Sequence, residues 1–336
     1  MSEWELGADS RDEILRRSIL PLYFPDLPPT EDSPTLILLA GQQGGGRSRA
    51  SRGLLHEHGP DLAVVTGDDL RAFHPRFIEI TATRAPEARE ALARVTARWV
   101  RDCIRHAREN RRSLVLEGAF QDPSIAVGTA DRFAAEGFQA RVVVVTSRRA
   151  ESLLSVASLY LRDVRAGTLA RWTSRETHDR GFDATRALVA ALEDAASVDR
   201  LTVLGRDGRT AFDAHRADGG FDGASAALVA AQSARLSRFD ATQWLSELHH
   251  VTEFAVSRRD LPRGVTELLV DLHETALREV IPELHVPADG KFATVIEQKT
   301  VAGLVTLRRS LQREPSVDVA APVIAPAGPE RGGVSR

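Results

Sequence analysis

The chain has 336 residues, enough for one large or two medium domains with a substantial core. Its formal net charge of -3 and isoelectric point near 6.4 offer no basic field for a nucleic-acid backbone, which argues against nucleic acid as a partner. Cys103 is the single cysteine, so an internal disulfide and a Cys-based zinc site are excluded. With no signal-peptide pattern at the acidic N-terminus and no apolar run near about 18 residues, a soluble, cytoplasmic protein without membrane contact is expected.

In chain order, residues 10–20 carry Ile14, Leu15, Ile19 and Leu20 at helical spacing behind a Ser10 or Asp12 cap. The proline-rich stretch 21–34 reads as a loop. Thr35 to Ala40 is a short apolar run of the kind buried in a parallel sheet, and the turn GQQGGGRS follows at 41–48. Gly41, Gly46 and Ser48 fall in the register of the phosphate-loop pattern G-x-x-x-x-G-K-[ST], with Arg47 where lysine is usual. Glycines there let Gln42, Gln43, Gly44 and Gly45 curl their amides toward phosphate oxygens. The helix beginning near Arg47, Ser48 and Arg49 adds its N-terminal partial charge, and the Ser48 hydroxyl is placed to hold Mg²⁺. An ordinary glycine-rich strand-to-helix turn is the competing reading. Arginine is a planar fork where lysine is a point charge, but Lys291 and Lys299 are the only lysines in the chain, so a general lysine-to-arginine drift could have produced the exchange, and the loop is read as still binding phosphate.

A helix over 48–57 and a second strand over 62–66 come next, followed at once by Gly67-Asp68-Asp69-Leu70-Arg71 and then His74-Pro75. Acids just past the carboxyl end of a parallel strand stand where open α/β sheets bind ligands, and a carboxylate there can take a proton from a substrate hydroxyl. Either aspartate can equally cap the next helix; one of the pair is expected in each role. A helix over 85–110 leads to a third strand, 113–116, closed by Glu117. A helix over 122–136 leads to the fourth strand, 140–146. The helix 150–167 carries Arg162 and Arg165 opposite its apolar face, with Arg171 and Arg175 just beyond, as in a cationic lid over transferring phosphates. A helix over 177–196 and a hairpin of strands 200–204 and 210–213 close the alternating pattern, which predicts an α/β fold with a doubly wound parallel sheet and helices on both faces. Helices over 225–236, 241–256, 261–280 and 294–312 follow without chemical motifs. Adjacent His249 and His250 face different sides of their helix and form no ligand spacing. The division expected is 1–223, 224–313 and a disordered tail over 314–336, rich in Pro, Ala and Gly.

From Pro34 to about His215 the chain resembles the zeta toxin family of phosphate-loop kinases. The resemblance rests on GQQGGGRS at 41–48, VVTGDDLRAFHPRF at 64–77, LVLEG at 114–118, SLLSVASLYL at 152–161 and ARWTSRETHD at 170–179. The pattern D-x-x-[RK]-x-x-H-P, here Asp68, Arg71, His74 and Pro75, is its most specific part. The resemblance implies ATP and Mg²⁺ as cofactors and phosphorylation of a sugar hydroxyl on a nucleotide sugar such as UDP-N-acetylglucosamine. It also implies a toxin role with an antitoxin partner. It assigns Asp68 as catalytic base, Arg47 and Arg171 as phosphate-binding catalytic residues, and Arg71, His74 and Glu117 to the acceptor pocket. Leu159, Ala119 and Gln121, with the region of Arg101, depart from the family's pattern. Those departures leave a degenerate member that binds nucleotide with little turnover as the alternative.

Overall fold

The structure is a computed structural model that describes residues 3–26, 33–59, 61–83, 86–168, 170–258, 260–286 and 290–313; the tail 314–336 lies outside the described residues. Six strands form one sheet: β1 Thr35–Gly41, β2 Ala63–Val65, β3 Leu114–Glu117, β4 Gln139–Thr146, β5 Arg200–Gly205 and β6 Thr210–His215. They lie in the order β2-β3-β1-β4-β5-β6. The first five are parallel, and β6 closes the edge antiparallel to β5. That edge is the predicted hairpin: a two-strand return over a Gly205–Gly208 turn can only pair antiparallel.

Strand side chains alternate between faces, and the two faces carry separate cores. Leu36, Leu38, Leu116, Val142, Val144 and Val203 pack in the larger cluster, while Ile37, Leu39, Val115, Val143 and Val145 pack with Leu54 on the other side. The larger face is covered by helices drawn from the whole chain. At the N-terminus come α1 Ala8–Ile14 and α2 Leu20–Tyr23, joined by a π-helical turn, Leu15–Ile19; Leu54 on the other face belongs to α3 Arg47–His58. Next come α4 Gly67–Leu70 and α5 Phe77–Ala82, two short helices that sequence periodicity does not reveal, and α6 Pro86–Glu109. Then follow α7 Pro123–Ala134, α9 Arg175–Glu193 and α10 Ala224–Ser233, while α8 Arg149–Ala166 turns its apolar side to a third cluster.

The third cluster stands off the sheet. Ala150, Leu153, Leu154, Ala157, Tyr160 and Leu161 of α8 pack with α11 Arg238–Ser257, α12 Arg263–Thr275 and α13 Lys291–Arg313. The sequence division at 223/224 therefore falls inside the sheet's own core, because Ala224 and Leu228 of α10 are buried in the sheet cluster. Among the described residues no helix is long and apolar enough to cross a membrane.

Candidate active site

Parallel strands end at the same side, so the segments leaving β1, β2, β3, β4 and β5 gather at one rim of the sheet. The glycine turn leaves β1 there. Gly41, Gly44 and Gly46 all have positive φ, and a Cβ on Gly41 or Gly44 would stand 2.3 Å from the carbonyl oxygen of Val145 or Ser152. Helix α3 starts on Gly46 with no side-chain cap, so the first-turn amides of Arg47 and Ser48 point out of the helix end, while the Arg49 amide donates to the Gly46 carbonyl at 3.0 Å. Ser48 and Arg49 are exposed at that end. Gln42 serves the loop itself: its buried side chain donates to the Ser147 carbonyl at 3.0 Å after β4. Gln43 and Gly45 complete the turn, with the Gly45 amide on the Gln42 carbonyl at 3.1 Å.

Neither aspartate after β2 is the helix cap, the role expected of one of them: Thr66 takes it. Thr66 caps α4 by accepting from the Asp69 amide at 3.1 Å, and its hydroxyl donates to the Asp69 carboxylate at 2.8 Å. Asp68 is left facing the rim, where one of its oxygens meets Arg171 at 2.6 Å and Arg71 at 3.0 Å. The Arg171 contact joins residues 103 apart in sequence. Burial, reinforced by Arg171, holds the Arg71 guanidinium below its usual range, while Asp68 opposes that shift.

Glu117, at the end of β3, stands 3.5 Å from Nε of Arg47. Burial pushes its carboxyl above the usual range, Arg47 pulls it back, and the nearby Asp68 and Asp69 push it further up. Arg47 is therefore turned toward a carboxylate of the neighbouring strand. His74 is 4% exposed, and its Nδ1 accepts from the Arg76 amide at 3.2 Å. Its ring is engaged in its own turn.

Several arginines read from the sequence as a cationic lid go elsewhere. Arg165 is a correction: it meets Nε2 of His250 at 3.0 Å and lies over the Phe254 ring at 4.4 Å, both on α11, so it faces the C-terminal helices. Arg175 is paired with Asp271 of α12. Arg162 and Leu159 are exposed on α8, at helical spacing from Ser152 and Ser155. His249 bonds Thr300 at 3.0 Å, and burial drives its ring down to about 4, so it is neutral. No group of three His, Cys, Asp or Glu residues fit to hold a metal occurs among the described residues.

One functional neighbour escaped the sequence reading. Arg206, in the turn after β5, donates from one Nη1 to the carbonyls of Gly44 and Glu151 at 3.2 Å each and to Ser155. Its Cγ would stand 3.4 Å from a Cβ on Gly46, so it lies against the glycine turn. The available signal was positional: a basic residue one step past the carboxyl end of a parallel strand.

A parallel sheet whose central strand runs into a capless glycine turn, with carboxylates from the next two strands beside it, defines a phosphate-loop α/β protein of the kinase type. The family model described as Zeta toxin matches residues 23–217, more than half of the chain, and the chain belongs to that family. Toxin PezT of Streptococcus pneumoniae is 23% identical over 184 residues, covering 54% of this chain and 72% of that protein. Toxin zeta of Enterococcus hirae is 24% identical over 149 residues, and the chain spans about half (52%) of its length. A structure solved in work on the PezAT chromosomal toxin-antitoxin system of Streptococcus pneumoniae superposes with a TM-score of 0.64 at 17% identity. It covers 75% of this chain and 99% of that one, a likeness of fold.

Proposed function

We propose that the chain is an ATP-dependent phosphotransferase acting on a sugar hydroxyl of a nucleotide sugar of the UDP-N-acetylglucosamine type, as the toxin of a toxin-antitoxin pair. The observation that carries this is the placing of Asp68, a carboxylate held between Arg71 and Arg171 and close to Glu117, which meets Arg47 at the end of the glycine turn. The names of the relatives, Toxin PezT and Toxin zeta, and the PezAT toxin-antitoxin system support the toxin role and an antitoxin partner.

The residues present fit a bound nucleoside triphosphate. Gly44 has no room for a Cβ against the Ser152 carbonyl, so the close curl of the turn requires glycine, and the uncapped start of α3 offers amides and a positive dipole end to phosphate oxygens. Arg47 adds a fixed positive charge, and the Ser48 hydroxyl would hold Mg²⁺, a cation that takes few protein ligands and keeps its waters. Mg²⁺ would supply neutralisation of charge on the phosphates. Asp68 accepts the proton of the acceptor hydroxyl as that oxygen bonds to the γ-phosphorus. The bond to the bridging oxygen breaks, and ADP leaves. Arg171 stabilises the charge spread over the transferring oxygens, and Arg71 and Glu117 hold the acceptor.

A second reading, binding without turnover, has its own observation: Arg47 is drawn to Glu117, away from a lysine's usual task. ATP consumption with a panel of nucleotide sugars separates the two. Turnover by the wild type, falling by roughly 10² to 10⁴ in Asp68→Asn with ATP binding intact, is expected from the loss of a general base. Comparable turnover by Asp68→Asn removes the base from Asp68. A wild type that binds ATP and turns over none of the sugars selects the binding reading.

A further inference from the structure

The helices beyond residue 217 lie outside the segment matched by the family model, yet they grip the connection that carries Arg171. Trp172, the next residue, is packed into the cluster that α8 shares with α11–α13, with its ring edge-on to Tyr160 at a centroid distance of 5.2 Å. It lies over the first turn of α12. A Cβ on Gly264 would stand 3.3 Å from the indole Nε1, so the helix approaches the ring as closely as a glycine permits. Four residues past Arg171, Arg175 is ion-paired with Asp271 on the same helix α12. Arg171 itself reaches across to Asp68, and both side chains are more than half exposed.

An exposed ion pair of this kind is too weak to order an arginine and the backbone that bears it. The order has to come from the flanks. We infer that α12 of the C-terminal layer positions Arg171 for phosphoryl transfer, Trp172 and Asp271 being the positioning residues that fasten the chain at the two points directly after it, Trp172 itself and Arg175. The inference rests on the proposed role of Arg171 at the transferring phosphates. It makes the C-terminal layer a support for the site: its contacts here fall on the arginine's own segment, and the glycine turn is touched by Arg206 of the sheet.

The test uses the full chain with Trp172→Ala, Trp172→Phe, Asp271→Ala and Arg171→Ala. Because trypsin cuts after arginine, the Arg171–Trp172 bond reports the fastening directly, without any chemistry. Trp172→Ala and Asp271→Ala are expected to raise its cleavage rate by about tenfold or more at unchanged melting temperature, as for a local opening. Trp172→Phe should keep the wild-type rate. Cleavage at the wild-type rate in both Trp172→Ala and Asp271→Ala overturns the inference. In kinetics with ATP and the acceptor, the same two variants should lower kcat by between about tenfold and 10²-fold, the scale set by a misplaced catalytic group. ADP affinity should be unchanged. Asp271→Ala should add nothing in the Arg171→Ala background, whereas an equal loss in both backgrounds overturns the positioning role. If cleavage responds as expected while Arg171→Ala alters neither turnover nor the preference for ATP over ADP, the fastening stands and the phosphoryl-transfer role of Arg171 falls.

Discussion

Glu117 sits where burial opposes its charge, and the sign of that opposition is measurable. Its folded-state value is raised above the ordinary 4.5, chiefly by desolvation and further by Asp68 and Asp69, with Arg47 acting against the shift. A raised carboxyl favours the protonated fold. Its contribution is fully present below the unfolded value and is lost as pH rises through the folded one. Glu117→Gln keeps the shape and removes the titration. Its melting temperature relative to wild type is expected to rise as the pH is taken upward from the ordinary carboxyl value of 4.5. A difference that stays flat over that rise in pH would show that Arg47 cancels the burial. The neighbouring aspartates mark the limit of residue-scale reading: Asp68 and Asp69 are chemically identical in the sequence, and Thr66, by taking the Asp69 amide and carboxylate, leaves Asp68 for the rim.

At the scale of elements, the glycine turn is braced from both sides by β4, α8 and the β5–β6 turn. Ser152 on α8 is held by a buried His178 on α9 at 2.8 Å, and its carbonyl lies against Gly44. Arg206 ties Gly44 to Glu151 and Ser155 on α8. Arg206→Ala is therefore expected to weaken ATP binding by about tenfold, the worth of one charge-assisted hydrogen bond, with little change in melting temperature. Calorimetric titration with ATP checks it, and undiminished affinity would leave Arg206 a bystander. The regular elements were legible because a strand's period of two and a helix's period of 3.6 are written locally. The bracing was not, since the Arg206 contact joins residues 162 apart in sequence.

Across the whole molecule, α8 is the shared wall: its carbonyls face the glycine turn and its apolar side is buried under α11–α13. Trp244 donates from its indole to the Ala150 carbonyl in the first turn of α8 at 3.1 Å, and Arg148 just before it pairs with Glu283. A fragment of residues 1–223 loses this cover and also Ala224 and Leu228 from the sheet's cluster. Each fully buried leucine or tryptophan contributes about 1.5 to 3 kcal/mol, and bared faces of this kind associate. The fragment is expected to aggregate, as read by sedimentation. A monodisperse fragment that binds ATP as the full chain does would mean that the C-terminal layer is dispensable to fold and site alike.

By itself the sequence determined the alternation of strands and helices, the glycine turn after β1 and the acids at the ends of β2 and β3. Each is encoded in a few adjacent residues through periodicity, glycine's left-handed backbone or strand-end position. Strand-end position left both aspartates open and the family's motif pointed to Asp68; tertiary structure alone decided that Arg171 reaches Asp68 while Arg165 turns to His250 and Phe254. It also decided that α12 holds the chain beside Arg171. An arginine's charge is a property of its residue type, but its direction is set by the elements packed around it, and those come together only when the chain folds.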